Sequence, residues 1–295
     1  MRMLMNAVLA IFGGISFGLL APIVKLGALH GISTVDSTRM QLASGFILLL
    51  IINVLFVRYR LKGKTFIKLL ISGIPMGLTT TFIYKSLNYL DASVAIVLLF
   101  QYIWMGLIAE IVITRRMPTK TDISSAILVL LGSLFAVNIF EARFESLPLI
   151  GVIWGLLAAI SFASFLFVSG QVATHVPALR KSMVMALGGL LMILIIYPPV
   201  DMDLSQMNWQ FLRHGLILGF FGAVLPPLLF SISMPVVGNA LGTILSSSEL
   251  PTTIIFSAKV VAEQITFHQV IGMIIILSAI ALANIPHLRL FRART

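Results

Sequence analysis

The stretch LVLLGSLFAVNI at residues 128–139 returns near the end of the chain as IIILSAIALANI at residues 274–285. Two shorter pairs follow the same order at almost the same separation: ISFG at 15–18 with ISFA at 160–163, and SG at 44–45 with GG at 188–189. A nearly constant spacing between similar segments indicates an internal duplication. The sequence therefore predicts two homologous halves, which we place at residues 1–144 and 145–295.

The composition around these repeats is that of a protein dissolved in lipid. Of 295 residues, 59% are hydrophobic and only 10% are charged, whereas soluble domains carry roughly 25% charged residues. A membrane-spanning helix needs about 20 apolar residues. We predict an all-α integral membrane protein with ten transmembrane helices, at residues 3–28, 34–57, 66–89, 91–113, 121–140, 148–172, 178–197, 210–234, 239–262 and 267–286.

The positive charges predict the orientation of these spans. Most of the 20 lysine and arginine residues fall on the side of the termini and of every second loop: Arg2, Arg58, Arg60, Lys62, Lys64, Lys68, Arg115, Arg116, Lys120, Arg180, Lys181, Arg289, Arg292 and Arg294. The opposite side has Lys25, Arg39, Lys85, Arg143, Arg213 and Lys259. The positive-inside rule then places both termini in the cytoplasm, in a cell membrane.

An odd number of spans in each half has a mechanical consequence. The second copy of a five-span repeat must insert upside down relative to the first. Two inverted repeats about an axis in the membrane plane can exchange conformations and open a central site alternately to either side. The pattern therefore favours a transporter. A polytopic membrane enzyme and a channel-like permease are the alternatives.

Several other functions are disfavoured by the residues present. The basic residues lie in short loops between apolar runs, which encodes topology and does not indicate a nucleic-acid surface. The chain has no cysteine, and its histidines show no metal-ligand spacing, so we expect no metal and no cofactor. Paired carboxylates, a nucleophile with its base and a phosphate-binding loop are also missing, and we expect the protein not to be an enzyme.

A set of loosely spaced residues gives the chain a family resemblance. These are Pro22, Lys25, Arg39, the segment YKSLNY at 84–89, Glu249, Pro251, the segment AEQIT at 262–266, Gln269 and Gly272. In this order they resemble the drug/metabolite transporter superfamily, specifically the EamA-type permeases. The resemblance implies a secondary active exporter of small metabolites, amino acids or drugs, driven by protons or by exchange. Family members often have a proline in the middle of span four, where this chain has Trp104, which predicts a less kinked helix there.

Glu249 is the first candidate site residue. It is predicted near the bilayer centre, where an ionised carboxylate costs at least about 2.5–3.5 kcal/mol and needs a partner or a wet cavity. Ser248 precedes it, and Pro251 should kink the helix there. The functional interpretation is binding of a substrate ammonium group or coupling to protons. The structural alternative is a glutamate hydrogen-bonded between helices.

The duplication extends the candidate site to the first half. In register, Gln101 and Tyr102 correspond to Ser248 and Glu249, and Trp104 follows with an aromatic face suited to a cation. The remaining members of the predicted substrate site are Tyr84, Asn88 and Ser161. For aromatic residues the alternative is helix packing, and for each serine it is a hydrogen bond to its own helix. The partners are a small-molecule substrate and the bilayer, and the protein is a monomer or a homodimer.

Four further expectations concern polar and proline residues near the span ends. Glu110 should pair with Arg115 or extend to the headgroups, and Lys259 should pair with Glu263, four residues away. Lys25, Arg39 and Lys85 should extend to the outer headgroups. Pro226 and Pro227 should kink span eight.

Overall fold

The computed structural model describes residues 2–115, 117–139, 148–199 and 208–292, with side chains up to Asn284. These residues form helices and connections without a strand. There are ten helical segments, in chain order: α1 (Arg2–Leu29), α2 (Thr34–Phe56), α3 (Gly63–Leu87), α4 (Ala92–Thr114), α5 (Lys120–Ala136), α6 (Leu149–Gln171), α7 (Ala178–Ile196), α8 (Trp209–Val237), α9 (Asn239–Ser246 continued by Glu249–Val260) and α10 (Phe267–Arg292).

Eight of the described helices are long and apolar enough to cross a membrane: α1 to α4, α6 to α8, and the Phe267–Asn284 part of α10. The two remaining segments are shorter. Helix α5 has 17 residues, and α9 is divided into halves of 8 and 12 residues. Three of the basic residues used to predict the orientation lie outside the residues that the structure describes: Arg116, Arg143 and Arg294.

The packing of the first five segments is repeated by the last five. Helix α3 packs against α6 and α7, and its counterpart α8 packs against α1 and α2. Helix α4 packs against α6, and its counterpart α9 packs against α1. The equivalent helices also touch each other, since α2 contacts α7, α4 contacts α9 and α5 contacts α10. If each helix is replaced by its equivalent in the other half, the same pairs of helices are therefore in contact.

Each of these touching equivalents runs antiparallel to its partner. In the α2–α7 pair, Arg39 near the start of α2 bonds the carbonyl of Tyr197, which follows α7, whereas Asn53 near the end of α2 bonds that of Leu179. In the α5–α10 pair, Gly132 lies against Ile276, and Gly272 lies against Ala136. We call the end of the bundle that holds Arg2 the inner end and the opposite end the outer end.

Small residues set how closely the helices approach. Gly73 of α3 lies against the backbone of Met185 in α7, and Gly14 of α1 lies against Ser248 and the carbonyl of Ser246 in α9. A side chain at either glycine would overlap those atoms. Glycines at such contacts let van der Waals attraction and polar contacts hold helices together in lipid, where hydrophobic association between helices is weak.

The prolines of α8 follow an irregular turn. A π-helical turn over Phe220–Val224 directly precedes the helix in which Pro226 and Pro227 lie. Neither proline can donate the backbone hydrogen bond of a regular helix. The irregular turn therefore lies next to the position where two successive backbone N–H donors are missing.

The partners of several charged residues correct the sequence-based predictions. Glu263 pairs with Lys25 of α1 rather than with Lys259, because α1 and α9 run side by side to the outer end. Arg39 does not extend to the headgroups, since it is buried and bonds Asp36 and the carbonyls after α7. Lys85 lies over the ring of Trp154 at 4.5 Å. Neighbouring helices offer these groups partners that the sequence does not reveal.

Lys181 is also displaced from its predicted loop position. Its side chain is fully buried in the first turn of α7 and donates to the carbonyl of Ser169, 2.7 Å away. Ser169 lies in the last turn of α6, whose carbonyls have no partner within the helix. The ammonium group therefore caps the carboxyl end of α6, where a positive charge is favourable.

Candidate functional site

Helices α4 and α9 are both interrupted near their middles. Helix α4 is broken at Gln101, so its second half starts at Tyr102. Helix α9 is broken at Ser247 and Ser248, so its second half starts at Glu249. The duplication pairs these positions. Helix α4 is interrupted without a proline, since Trp104 stands near the break, and the smaller kink expected there stays a prediction.

Pro251 accounts for the break in α9. It has no N–H to donate to the carbonyl of Ser247, which instead accepts from Leu250 at 3.2 Å. The hydroxyl of Ser247 bonds the carbonyl of Ile244 at 2.5 Å. Hydroxyl groups and shorter turns of this kind satisfy the backbone where a membrane helix is broken.

The two breaks meet at Tyr102. This side chain is fully buried, and its hydroxyl lies 3.0 Å from the hydroxyl of Ser246. Its ring contacts Phe162 of α6 edge-on, with centroids 4.7 Å apart. Ser161, beside Phe162, is buried as well. Helices α4, α6 and α9 therefore converge on one polar hydroxyl pair within an aromatic surrounding.

Helix α1 closes over the break in α9. The hydroxyl of Ser248 donates to the carbonyl of Ile11 at 2.9 Å, and that of Thr253 donates to the carbonyl of Gly18 at 3.0 Å. These bonds are possible because Gly14 and Gly18 leave no side chain between the helices. Helix α1 is thus hydrogen-bonded to α9 both before and after Glu249.

Glu249 has a buried oxygen without a protein partner. Its Oε2 atom is inaccessible to solvent and accepts no hydrogen bond from the described residues. A buried polar atom that stays unpaired costs about 1–3 kcal/mol, and more when it is charged. In native proteins such an atom calls for an explanation, and an absent ligand or ion is one. Among the described residues, Glu249 is the carboxylate with a buried, unpaired oxygen.

The structure brings together only part of the predicted set. Tyr102, Ser248 and Glu249 lie around the meeting point of α1, α4 and α9, and these three residues form the central group. Ser161 is buried in α6, but no hydrogen bond between described residues joins it to them.

Gln101 and Trp104 point elsewhere. Trp104 is 40% exposed and donates to the side-chain oxygen of Gln101 at 2.8 Å. It shares an exposed apolar face of α4 with Ile108 and Val112. That face is typical of contact with lipid, so these two side chains do not join the central group in this structure.

Tyr84 and Asn88 lie toward the outer end. The hydroxyl of Tyr84 lies against the side chain of Thr38 in α2. Asn88 is exposed directly after α3. Neither is brought next to Glu249, although both belong to the helix that packs on α6 and α7.

Glu110 is a structural residue that the sequence analysis assigned wrongly. Its buried Oε2 atom accepts the backbone N–H groups of Asn239 and Ala240, at 2.7 and 3.3 Å. The side-chain amide of Asn239 donates to the carbonyl of Gly106 at 2.7 Å. Glu110 therefore caps the amino end of α9 from α4 instead of pairing with Arg115. The connection is too distant in sequence for a spacing rule to find.

We expect Glu110→Ala to lower stability. The substitution would leave two buried N–H groups at the amino end of α9 without an acceptor, which costs about 1–3 kcal/mol. Glu110→Gln keeps an acceptor oxygen and should lose less. Thermal unfolding in detergent measures both variants. An alanine variant with the unfolding midpoint of the unsubstituted protein would show that this cap is not needed.

Two cavities lie away from Glu249. One, of about 370 Å³, is at the outer end between α1, α8 and α9, and is lined among others by Leu19 and Arg213. The other, of about 330 Å³, is at the inner end and is lined among others by Arg60 and His175.

Comparison with known proteins agrees with this architecture. The sequence matches the profile of the EamA-like transporter family twice, over residues 4–138 and 149–285. No curated protein matches the chain. Among 28 matching solved chains, one described as "Crystal structure of protein" superposes with a TM-score of 0.79 at 11% identity, covering 95% of this chain and 97% of that one. At that identity the likeness concerns the fold alone.

Proposed function

The chain belongs to the EamA-like transporter family, and on that premise we propose that it is a ten-span secondary transporter with two inverted five-helix halves, residues 1–144 and 145–295. The family places it in the drug/metabolite transporter superfamily as a multi-pass membrane protein. The proposal adds the span number, the inversion, alternating access and the nature of the site.

Antiparallel contacts between equivalent helices support the inversion. Two helices that match in the duplication and touch each other lie on opposite sides of the axis that relates the halves. If that axis ran along the membrane normal, the pair would be parallel. The α2–α7, α4–α9 and α5–α10 pairs are antiparallel, which supports an axis in the membrane plane.

The distribution of contacts around α1 supports alternating access. Near its middle, Phe17 lies against Phe162, Phe165 and Phe230, with ring centroids 5.6–6.1 Å apart. Toward its outer end, Ala21 and Ala28 follow Phe17 on approximately the same face and are exposed. This face of α1 is therefore covered near its middle and uncovered toward the outer end, as in a transporter that opens outward.

The unpartnered oxygen of Glu249 is the observation on which the proposed site depends. A carboxylate at the break of α9 can accept hydrogen bonds from a substrate ammonium group or take up the coupling proton. Ser246 precedes Glu249 by three residues in α9, and its hydroxyl lies 3.0 Å from that of Tyr102 in α4. We therefore propose that the substrate is a small organic molecule, such as a metabolite, an amino acid or a drug, and that it binds beside Glu249.

We propose export across a cell membrane, which is what the family resemblance implies. The charge distribution supports the orientation, with both termini in the cytoplasm. The inner end carries the loops rich in lysine and arginine, which the positive-inside rule assigns to the cytoplasm. Monomer and homodimer are both compatible with this arrangement.

Flux through proteoliposomes tests the proposed function. The purified protein is reconstituted and tested against a panel of amino acids, other amines, organic acids and cationic dyes, with and without an imposed pH gradient. We expect flux of at least one compound with an ammonium group, saturable with concentration. A linear dependence on concentration up to the solubility limit would favour a channel-like permease. Flux restricted to compounds without a cationic group would remove Glu249 as the binding group.

A further inference from the structure

The cavity at the outer end has an apolar wall and a polar rim. Its wall includes Leu19 and Ile23 of α1, Phe221 of α8 and Phe256 of α9. Its volume of about 370 Å³ lies at the lower end of the range of ligand pockets, roughly 300–1,000 Å³. We call this cavity the outer crevice.

The outer crevice opens away from the centre of the bundle. Phe17 of α1 faces the central rings of α6 and α8. Leu26, which lines the crevice, follows Phe17 by about two and a half helical turns and so lies on the opposite face of α1. Helices α8 and α9 flank α1 on either side. The crevice is therefore a gap between α8 and α9 that faces the surrounding lipid.

The rim of the crevice is cationic. Arg213, at the outer end of α8, is exposed, and His30 and His214 lie beside it. The ring of His214 is held by the hydroxyl of Ser37, 3.0 Å from its Nε2 atom. None of the residues that line the crevice is acidic.

The rim lies at the depth of lipid headgroups. Trp209, the first residue of α8, is 70% exposed, and exposed tryptophans at span ends are typical of the membrane interface. Arg213 follows one turn later, and the apolar wall continues inward from there. A ligand of the crevice would thus meet a positive charge at the interface and apolar side chains below it.

We propose that the outer crevice binds one acyl chain of an anionic phospholipid of the outer leaflet, with the lipid phosphate at Arg213. The volume suits one chain, and the apolar wall suits hydrocarbon. Arginine recognises phosphate with paired, charge-assisted hydrogen bonds. A soluble anion would leave the apolar wall uncovered, so the occupant is a lipid.

Native mass spectrometry of the purified full chain tests this site. The protein in detergent is mixed with phosphatidylglycerol or with phosphatidylcholine of the same acyl chains, and the retained lipid is measured. We expect preferential retention of one phosphatidylglycerol, and about tenfold weaker retention by Arg213→Gln. Lys259→Gln is the matched control, because Lys259 is also basic and exposed at the outer end but does not line the crevice. Retention of phosphatidylglycerol by Lys259→Gln should equal that of the unsubstituted protein.

A second variant separates the apolar wall from the charge. Leu26→Trp should fill the crevice and weaken retention of both lipids, with the unfolding midpoint unchanged. Retention by Arg213→Gln equal to that of the unsubstituted protein would overturn the proposal, as would equal loss in Lys259→Gln. Displacement of the lipid by soluble glycerol phosphate at equal concentration would show a site for a free anion and would also overturn it.

Discussion

Gradient-driven flux should fall by about tenfold to a hundredfold when Glu249 is replaced by glutamine. The substitution keeps the shape of the side chain but removes its charge and its capacity to exchange a proton. A hydrogen bond to a charged group contributes about 1.5–3 kcal/mol, and each 1.4 kcal/mol is about tenfold in affinity. The variant should fold as before, because a neutral group at a buried position costs less to desolvate than a carboxylate.

The flux assay with this variant also separates the two proposed roles. If Glu249 binds the substrate ammonium, both exchange and gradient-driven flux are lost. If it carries only the coupling proton, exchange of substrate across the membrane continues and gradient-driven accumulation stops. Glu263→Gln is the matched control, since that carboxylate is exposed and its ion pair with Lys25 contributes little. Flux by Glu249→Gln within twofold of the unsubstituted protein would exclude Glu249 from the site.

The all-helical membrane fold and its two repeats were predictable because the bilayer imposes simple rules. Apolar length determines the spans, and the repeat predicts which helices correspond. The same register predicted that positions 101–102 and 248–249 correspond, and both helices are interrupted there. Pro251 signals the second break in the sequence. The first break has no such signal, since residues 100–104 contain no proline or glycine.

The directions of side chains were less predictable than the course of the backbone. Tyr102 and Trp104 are two residues apart, which places them on different faces of α4. One is fully buried against α6 and α9, and the other is exposed on an apolar face. Apolar residues occur on both faces of a membrane helix, because lipid and protein interior are equally apolar. A hydrophobic pattern therefore cannot tell which aromatic residue points to the centre.

The polar partners were unpredictable for a related reason. The hydrogen bonds of Glu110, Lys181 and Arg39 run to backbone groups of other helices. Backbone acceptors and donors exist at every residue, so the sequence carries no mark of which one a side chain will reach. Local spacing rules instead suggested Arg115 for Glu110 and Lys259 for Glu263, and both were wrong.

Locking α4 to α9 at the inner end should stop transport. Gly106 and Thr243 face each other across this contact, and a Cβ atom built on Gly106 lies 3.2 Å from the Cβ atom of Thr243. Disulfides need about 3.5–4.5 Å between Cβ atoms, which a small adjustment provides. The chain has no cysteine of its own, so Gly106→Cys with Thr243→Cys gives one defined bond. If inward opening separates α4 from α9 here, the oxidised variant cannot complete a cycle.

A bond away from the two broken helices provides the control. Gly77 of α3 faces Met192 of α7, and a Cβ atom built on Gly77 lies 3.4 Å from the Cβ atom of Met192. The proposed opening separates α4 from α9 and does not require α3 to leave α7. Gly77→Cys with Met192→Cys should therefore transport equally well oxidised and reduced.

The most direct test of alternating access by two inverted halves is the flux of the Gly106→Cys, Thr243→Cys variant in proteoliposomes, before and after reduction. We expect flux to be lost on oxidation, because the disulfide holds α4 and α9 together, and to return when the disulfide is reduced. Undiminished flux with the disulfide formed would contradict the account, because the substrate would then cross without any opening between α4 and α9.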